Sequence, residues 1–278
     1  EFVKNNKLYI TFSDPDIWGS TGTAIASARL ETDPIPRLAD VKILFSLADK
    51  NGSRFHFGSR IVPDGKGNLF FTIGDRGTPQ RSQDPFDGAG SVLRIRTDGS
   101  VPPDNPFADG KNGLPQIWSI GHRNPQGATL NDDTGEVWTL AHGAQGGDEI
   151  NIPKAGKNYG WPVISYGKHY SGKKIGVGTS APGMEQPIYY WDPSIAPSGF
   201  DFYQGNLLPQ WTGNLFAGAL KFELLVRLEV KDNKIVHEER LFDESYGRIR
   251  DVRAFPDGAL WFLTDDSDGA IYRITAAE

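Results

Sequence analysis

The sequence predicts an all-β fold assembled from short sheets repeated along the chain. Three observations carry this expectation: apolar residues recur at every second position, turn residues punctuate them at short intervals, and one strand pattern returns several times. The 278 residues include 33 Gly and 19 Pro beside 7 Trp, 16 Phe and 9 Tyr, with a single Met. Gly and Pro build turns, and aromatic side chains suit the half-buried pleat of a strand. No window shows the three-to-four-residue period of an amphipathic helix.

Taken in order, Lys7–Phe12 reads as a first strand, followed by Ala24–Leu30 and Val41–Phe45. Pro63-Asp64-Gly65, Asp98-Gly99, Thr134-Gly135, Pro256-Asp257-Gly258 and Asp268-Gly269 read as turns. In each, Gly supplies a positive φ and Asp or Thr closes the turn with its side chain. Asn68–Asp75 follows one Pro-Asp-Gly turn and Ala259–Asp266 follows another. Gly135–Leu140 and Gly213–Gly218 repeat the pattern between them, and Ala270–Ile274 reads as the last strand. The copies lie about 50 to about 80 residues apart. Blades of a β-propeller recur at roughly 40–50 residues, so each interval holds one blade or a blade with an insertion. A two-sheet sandwich is the alternative architecture. The stretch from Tyr166 to Gly183 reads as a long loop between strands. No linker interrupts the pattern, so residues 1–278 read as a single domain.

Composition excludes several functions. Apolar residues at 38% and charged residues at 23% are balanced enough for a buried core and too balanced for disorder. The absence of cysteine rules out disulfides and thiolate metal sites. A net charge of −6 argues against nucleic-acid binding, which needs clustered cations. No apolar run reaches the ~20 residues of a membrane span. The opening Glu1-Phe2-Val3-Lys4 lacks an initiator Met and reads as the interior of a longer chain.

Four segments stand out as carriers of chemistry. Phe55-His56-Phe57-Gly58-Ser59-Arg60 sets a His and an Arg four residues apart ahead of a strand. Imidazole moves protons near neutral pH, although a lone His is more often structural. Gly121 to Gly127 frames His122, Arg123, Asn124 and Gln126 with Gly and Pro, a loop with little entropy left to lose. It suits recognition of carboxylates or vicinal carbonyl oxygens, and equally a turn bracing itself. Ala141 to Asn151, with Asn158-Tyr159-Gly160-Trp161-Pro162 after it, combines exposed carbonyls with Asp148 and Glu149, a hard-oxygen set suited to Ca²⁺. Lastly, Arg248 and Arg250 fall on one face of an extended segment, with Lys221 elsewhere in the chain. Two such cations repel unless an anion lies between them; solvated surface charge is the plain alternative.

Together, His56–Arg60, Gly121–Gly127, Gly146–Asn151 with Gly156–Pro162, Ala196-Pro197-Ser198-Gly199 and Arg248–Arg253 resemble, in order, the soluble PQQ-dependent aldose sugar dehydrogenases. These are relatives of soluble glucose dehydrogenase. The resemblance covers essentially the whole chain and implies a six-bladed propeller with pyrroloquinoline quinone on its top face. It implies that His56 is the general base on the anomeric hydroxyl, with hydride passing from sugar C1 to the quinone. Arg123 and Asn124 contact the cofactor, Arg123 steadying the reduced oxyanion. Lys221, Arg248 and Arg250 hold its three carboxylates, and Asp75 and Tyr170 line the pocket. Carbonyls of Gly143 and Ala144 ligate a catalytic Ca²⁺, and Glu149 with the Tyr159 carbonyl forms a second, structural calcium site. An aldose substrate, an external electron acceptor and a periplasmic or secreted location follow from the same likeness.

Two departures qualify it. Ala144 stands where the family usually has Pro, which costs the loop a φ restraint but keeps the carbonyl. The family's upstream strands, with a Gln of the pocket, are missing, so about the first blade or more is expected to be absent. Five blades or an incomplete sixth remain, with exposed strand edges that a second copy of the chain could cover. Competing functions are a catalytically silent propeller that binds sugar or a protein partner, and a calcium-dependent propeller lactonase. The latter leaves Lys221, Arg248 and Arg250 without a purpose.

Overall fold

The computed structural model describes residues 5–276, and the opening Glu1–Lys4 lies outside them. The expected all-β character is found: among the described residues eighteen strands form five antiparallel sheets. The named helical elements are two short 3-10 turns, Pro79–Gln83 and Pro209–Trp211. Each sheet is a meander of three or four strands, the blade unit of a β-propeller.

Backbone packing divides the chain into two compact units. The first holds the residues up to Asn124 together with Lys154–Asn158; the second holds Pro125–Pro153 and the residues from Tyr159 on. In the first unit, β1 (Lys7–Pro15), β2 (Thr21–Glu31) and β3 (Arg37–Ser46) make one sheet in chain order. The strands β4 (Ile61–Pro63), β5 (Asn68–Ile73), β6 (Ser91–Arg96) and β7 (Ile117–Ser119) make the next. In the second unit, β8 (Pro125–Asn131), β9 (Glu136–Ala141), β10 (Asp148–Asn151) and β11 (Tyr189–Trp191) form a four-stranded sheet. A further four strands follow as β12 (Pro197–Phe202), β13 (Leu215–Ala219), β14 (Leu225–Lys231) and β15 (Lys234–Leu241). The last sheet is β16 (Ile249–Ala254), β17 (Leu260–Thr264) and β18 (Ile271–Ile274).

Interior strands are apolar on both faces because both are covered. In β5 every residue from Leu69 to Ile73 is buried, and all five residues of β13 are. The first unit gathers Ile25, Leu47, Leu69, Phe71, Ile73 and Leu93 into one core. The second has two cores, one around Trp138, Phe200 and Val226 and one around Tyr203, Phe216 and Phe262. Outer strands such as β3 and β15 have no fully buried residue.

Turn chemistry matches the sequence reading. Asp64 Oδ1 accepts from Lys66 N at 2.8 Å and Asn68 N at 3.0 Å, closing the Pro63-Asp64-Gly65 turn. Asp257 does the same for Ala259 N at 3.0 Å. The segment from Tyr166 to Gly183 contains no strand, as expected of a long loop.

Candidate active site

In the first unit, His56 sits in the loop between β3 and β4, and Asp75 follows the end of β5. His56 Nδ1 lies 2.6 Å from Asp75 Oδ1, and the aspartate is fully buried while the imidazole is one-fifth exposed. A carboxylate accepts and does not donate, so in the neutral ring the proton is on Nδ1 and the lone pair on Nε2. Gly77 N also donates to Asp75 Oδ1 at 2.8 Å, and Asp75 N donates to Arg123 O at 2.8 Å. These contacts fix the carboxylate that fixes the ring. His56 itself adopts a left-handed backbone, φ 56°, between neighbours that hold it there.

Those neighbours are partly residues to which sequence reasoning gave no role. Arg76, fully buried, donates through Nη1 to Phe55 O and through Nη2 to Ser53 O at 2.6 Å. Its guanidinium stacks on the Phe57 ring, 3.5 Å from the centroid. Asn124 is buried, and its Oδ1 accepts from Gly58 N at 3.1 Å, so it braces the His56 loop. A Cβ on Gly74 would collide with the His56 carbonyl, which explains glycine there. The one legible signal for Arg76 was its adjacency to Asp75. Arg123 contributes its carbonyl to Asp75 and lies half-buried. His122 is buried, with Nε2 2.9 Å from Ser119 Oγ, and burial pushes it down to about 3.

The second unit gathers other predicted residues. Ala144, Tyr170 and Lys221 line one cavity of about 640 Å³ together with Lys168, Asp192 and Ala196. Arg248 reaches this neighbourhood through Nη1, 3.4 Å from the carbonyl of Leu220, next to Lys221. Arg248 Nη2 and Arg250 Nη2 share Asp265 Oδ2 at 3.2 and 2.7 Å. The Arg250 hydrogen bond, and then Arg248, hold the Asp265 carboxyl below the usual carboxylate range. Asp265 is thus the anion between the two arginines that the sequence reading lacked. Lys221, Arg248 and Arg250 bring three positive charges to the one carboxylate of Asp265, and Asp192 adds a second carboxylate to the cavity beside Lys221.

Gly143 and Ala144 occupy a tight loop after β9. Gly143 N donates to Asp148 Oδ1 at 2.8 Å, while Asp148 Oδ2 accepts from Ile195 N at 2.8 Å and Ala196 N at 3.2 Å. Asp148 thereby ties the loop to the turn before β12, at the cost of a buried carboxyl that burial pushes up. A Cβ on Gly143 would overlap the backbone of Gly146 and Gly147, so only glycine fits.

Glu149 and Asn151 lie on one face of β10, and Thr139 is opposite Asn151 in the ladder. Asn151 Nδ2 donates to Glu149 Oε2 at 3.2 Å, and burial pushes the Glu149 carboxyl up to about 7. Asn151 Oδ1 and Thr139 Oγ1 are buried with no hydrogen-bond partner. A carboxyl and two unmatched oxygens on one sheet face suit a hard cation. Tyr159 is buried, and its hydroxyl donates to Ile152 O at 2.5 Å.

A sequence model of the family described as Glucose / Sorbosone dehydrogenase matches residues 1–273. The Aldose sugar dehydrogenase YliI of Escherichia coli (strain K12) is 39% identical over 277 residues, 99% of this chain and 74% of that protein. Quinoprotein glucose dehydrogenase B of Acinetobacter calcoaceticus is 25% identical over 355 residues, 98% of this chain and 72% of that protein. A crystal structure of a glucose dehydrogenase superposes with a TM-score of 0.96 at 41% identity, covering 99% of this chain and 80% of that one.

Proposed function

The chain belongs to the Glucose / Sorbosone dehydrogenase family, and from that premise we propose that it oxidises the anomeric carbon of an aldose with pyrroloquinoline quinone and Ca²⁺. The observation that carries the reading is the His56–Asp75 contact of 2.6 Å. With Nδ1–H directed at Asp75, Nε2 removes the proton of the anomeric hydroxyl while the C1–H bond breaks with its electron pair, forming the lactone carbonyl. Asp75 stabilises the imidazolium so formed and stops the ring rotating away, the division of labour of a base and its orienting acid. Arg76 and Asn124 hold the loop backbone and leave the imidazole little freedom. Bound pyrroloquinoline quinone would supply the two-electron acceptor that takes up the C1 hydride, and Ca²⁺ would add Lewis acidity.

Lys221, Arg248 and Arg250 would hold the carboxylates of that cofactor, and Arg123 would pair with its ring oxygens. Tyr170 lines the pocket, and Asp75, fully buried, serves it through His56. Gly143 and Ala144 offer carbonyls to the catalytic Ca²⁺. Glu149 and the Tyr159 carbonyl, joined by Asn151 and Thr139, hold the structural one. An external acceptor reoxidises the cofactor, and the five sheets belong to a propeller of the six-bladed type.

The test adds PQQ and Ca²⁺ to the protein and follows the bound quinone spectrum as aldose is supplied. Bleaching by aldose is expected, and His56→Ala should keep the bound spectrum while losing on the order of 10²–10⁴ in turnover. A variant retaining more than a tenth of the rate would remove His56 from this role. A second reading, a catalytically silent propeller that binds sugar or a protein, draws on Asp265, which already neutralises part of the arginine pair. Absence of quinone binding would favour it.

A further inference from the structure

In the first unit, the end of β3 and the loops on either side of β6 enclose a cavity of about 490 Å³, within the size range of small-molecule sites. Much of its wall is apolar: Leu44, Phe45, Leu47 and Leu114 line it, and Phe86, 60% exposed, joins them. Gly88 lets that wall close. A Cβ there would stand 3.2 Å from Leu47 Cδ1 and 3.5 Å from both Leu114 Cδ2 and Phe45 Cζ.

The charged part of the lining has one sign. Asp49, Asp84 and Asp87 contribute carboxylates, and no described lining residue is a Lys or Arg. Asp87 is already matched, since Arg81 Nε donates to its Oδ2 at 2.5 Å and Nη2 to its Oδ1 at 2.9 Å. Asp84 Oδ1 accepts from Phe86 N at 2.9 Å, which orients the carboxylate and leaves Oδ2 for a further donor. Asp49 Oδ2 is 3.8 Å from Arg81 Nη2, beyond hydrogen-bond distance. One more acceptor lies deeper. Gln116 also lines the cavity, and its Oε1 is buried with no hydrogen-bond partner. Its backbone is held in place by Arg94 N, which donates to Gln116 O at 2.7 Å. A buried carbonyl oxygen left without a donor is unfavourable, and an N–H entering the cavity would satisfy it.

We propose that this cavity is a binding site for a primary organic ammonium with a flat apolar group, the group lying against Phe45, Phe86 and the leucines and the ammonium shared by Gln116, Asp84 and Asp49. Three N–H donors match an amide oxygen and two carboxylates in both charge and hydrogen bonding, and the aromatic faces attract the same cation. A divalent metal is a poorer match, because no three His, Cys, Asp or Glu among the described residues converge as its ligands. An anion would meet carboxylates alone. None of the lining residues has a part in the reaction proposed above, so the inference stands apart from it.

Three probes that share a phenyl ring test the site by saturation-transfer NMR and protein amide shifts: phenethylammonium, benzyltrimethylammonium and 3-phenylpropanoate. Phenethylammonium should bind the wild type with a Kd of about 1 mM or below, as expected of so small a ligand. Benzyltrimethylammonium keeps charge and ring but lacks N–H donors, and should bind about tenfold more weakly. The anionic 3-phenylpropanoate should not bind. Among variants, Ala48→Trp places an indole on an exposed part of the lining and should remove phenethylammonium binding. The double variant Asp49→Asn, Asp84→Asn keeps an acceptor for Phe86 N while losing both charges, and should weaken binding about tenfold. Absence of phenethylammonium binding, equal binding of the anionic probe, or binding unchanged in Ala48→Trp would each overturn the site. The comparison of probes uses the wild type alone, so it decides the matter even where a variant fails to fold.

Discussion

A histidine bonded to a buried carboxylate through one nitrogen is a base only at the other, and the first unit builds this asymmetry from a handful of contacts around His56 and Asp75. The second histidine of that unit is arranged for the opposite purpose. His122 is enclosed and held neutral, with its titration pushed down to about 3 by burial. The unfolded chain takes up a proton near pH 6.5, whereas the folded protein does not until pH nears 3. Stability from His122 is therefore complete above pH 6.5 and is lost as pH falls from there toward 3. Denaturant midpoints measured across this range should drop more steeply for the wild type than for His122→Gln. Parallel slopes would show that His122 is not the group responsible.

At the scale of the element, β16 and the end of β17 bring the arginine pair and Asp265 together. Residue Arg250 lies on β16, Arg248 precedes it, and both turn toward Asp265 just past β17, across a bulge between Ile249 and Asp251. Replacing Arg250, Arg248 or Lys221 by Ala should weaken PQQ by roughly 1.5–3 kcal/mol, the worth of a hydrogen bond to a charged group. Asp265→Asn should tighten it, since a competing carboxylate is removed. Titration of the metal-loaded protein with PQQ reads both effects. Strand β10 makes a separate case: Ca²⁺ should raise the thermal midpoint of the wild type, and Glu149→Gln should abolish that response, because Asn151 and Thr139 then lack a charged partner. An equal rise in the variant would move the cation elsewhere. Period-two alternation and Pro-Asp-Gly turns made the strands legible, since each is a local signal; Lys7–Phe12 and Asn68–Asp75 were found nearly in full. Motif order pointed to His56 and to the arginines. The roles of Arg76, Asp148 and Asp265 were hidden because each acts on backbone or charge far away in sequence, and composition around them carries no mark of it.

For the whole molecule, repetition of one meander explains how so many glycines and aromatics coexist: covered inner strands take the aromatics, and turns take the glycines. The left-handed backbone at His56 has a consequence beyond its own loop. A side chain in that conformation is disfavoured by about 1–2 kcal/mol relative to glycine, and a natural chain is stable by only about 5–15 kcal/mol in all. If His56 is the base proposed above, its role and thermal robustness are set against each other at a single φ angle. Thermal unfolding should find His56→Gly more stable than His56→Ala by roughly 1 kcal/mol, with both inactive. If the two melt together, the neighbouring contacts have already absorbed the strain. If they separate, the loop stores backbone strain at His56 that glycine releases.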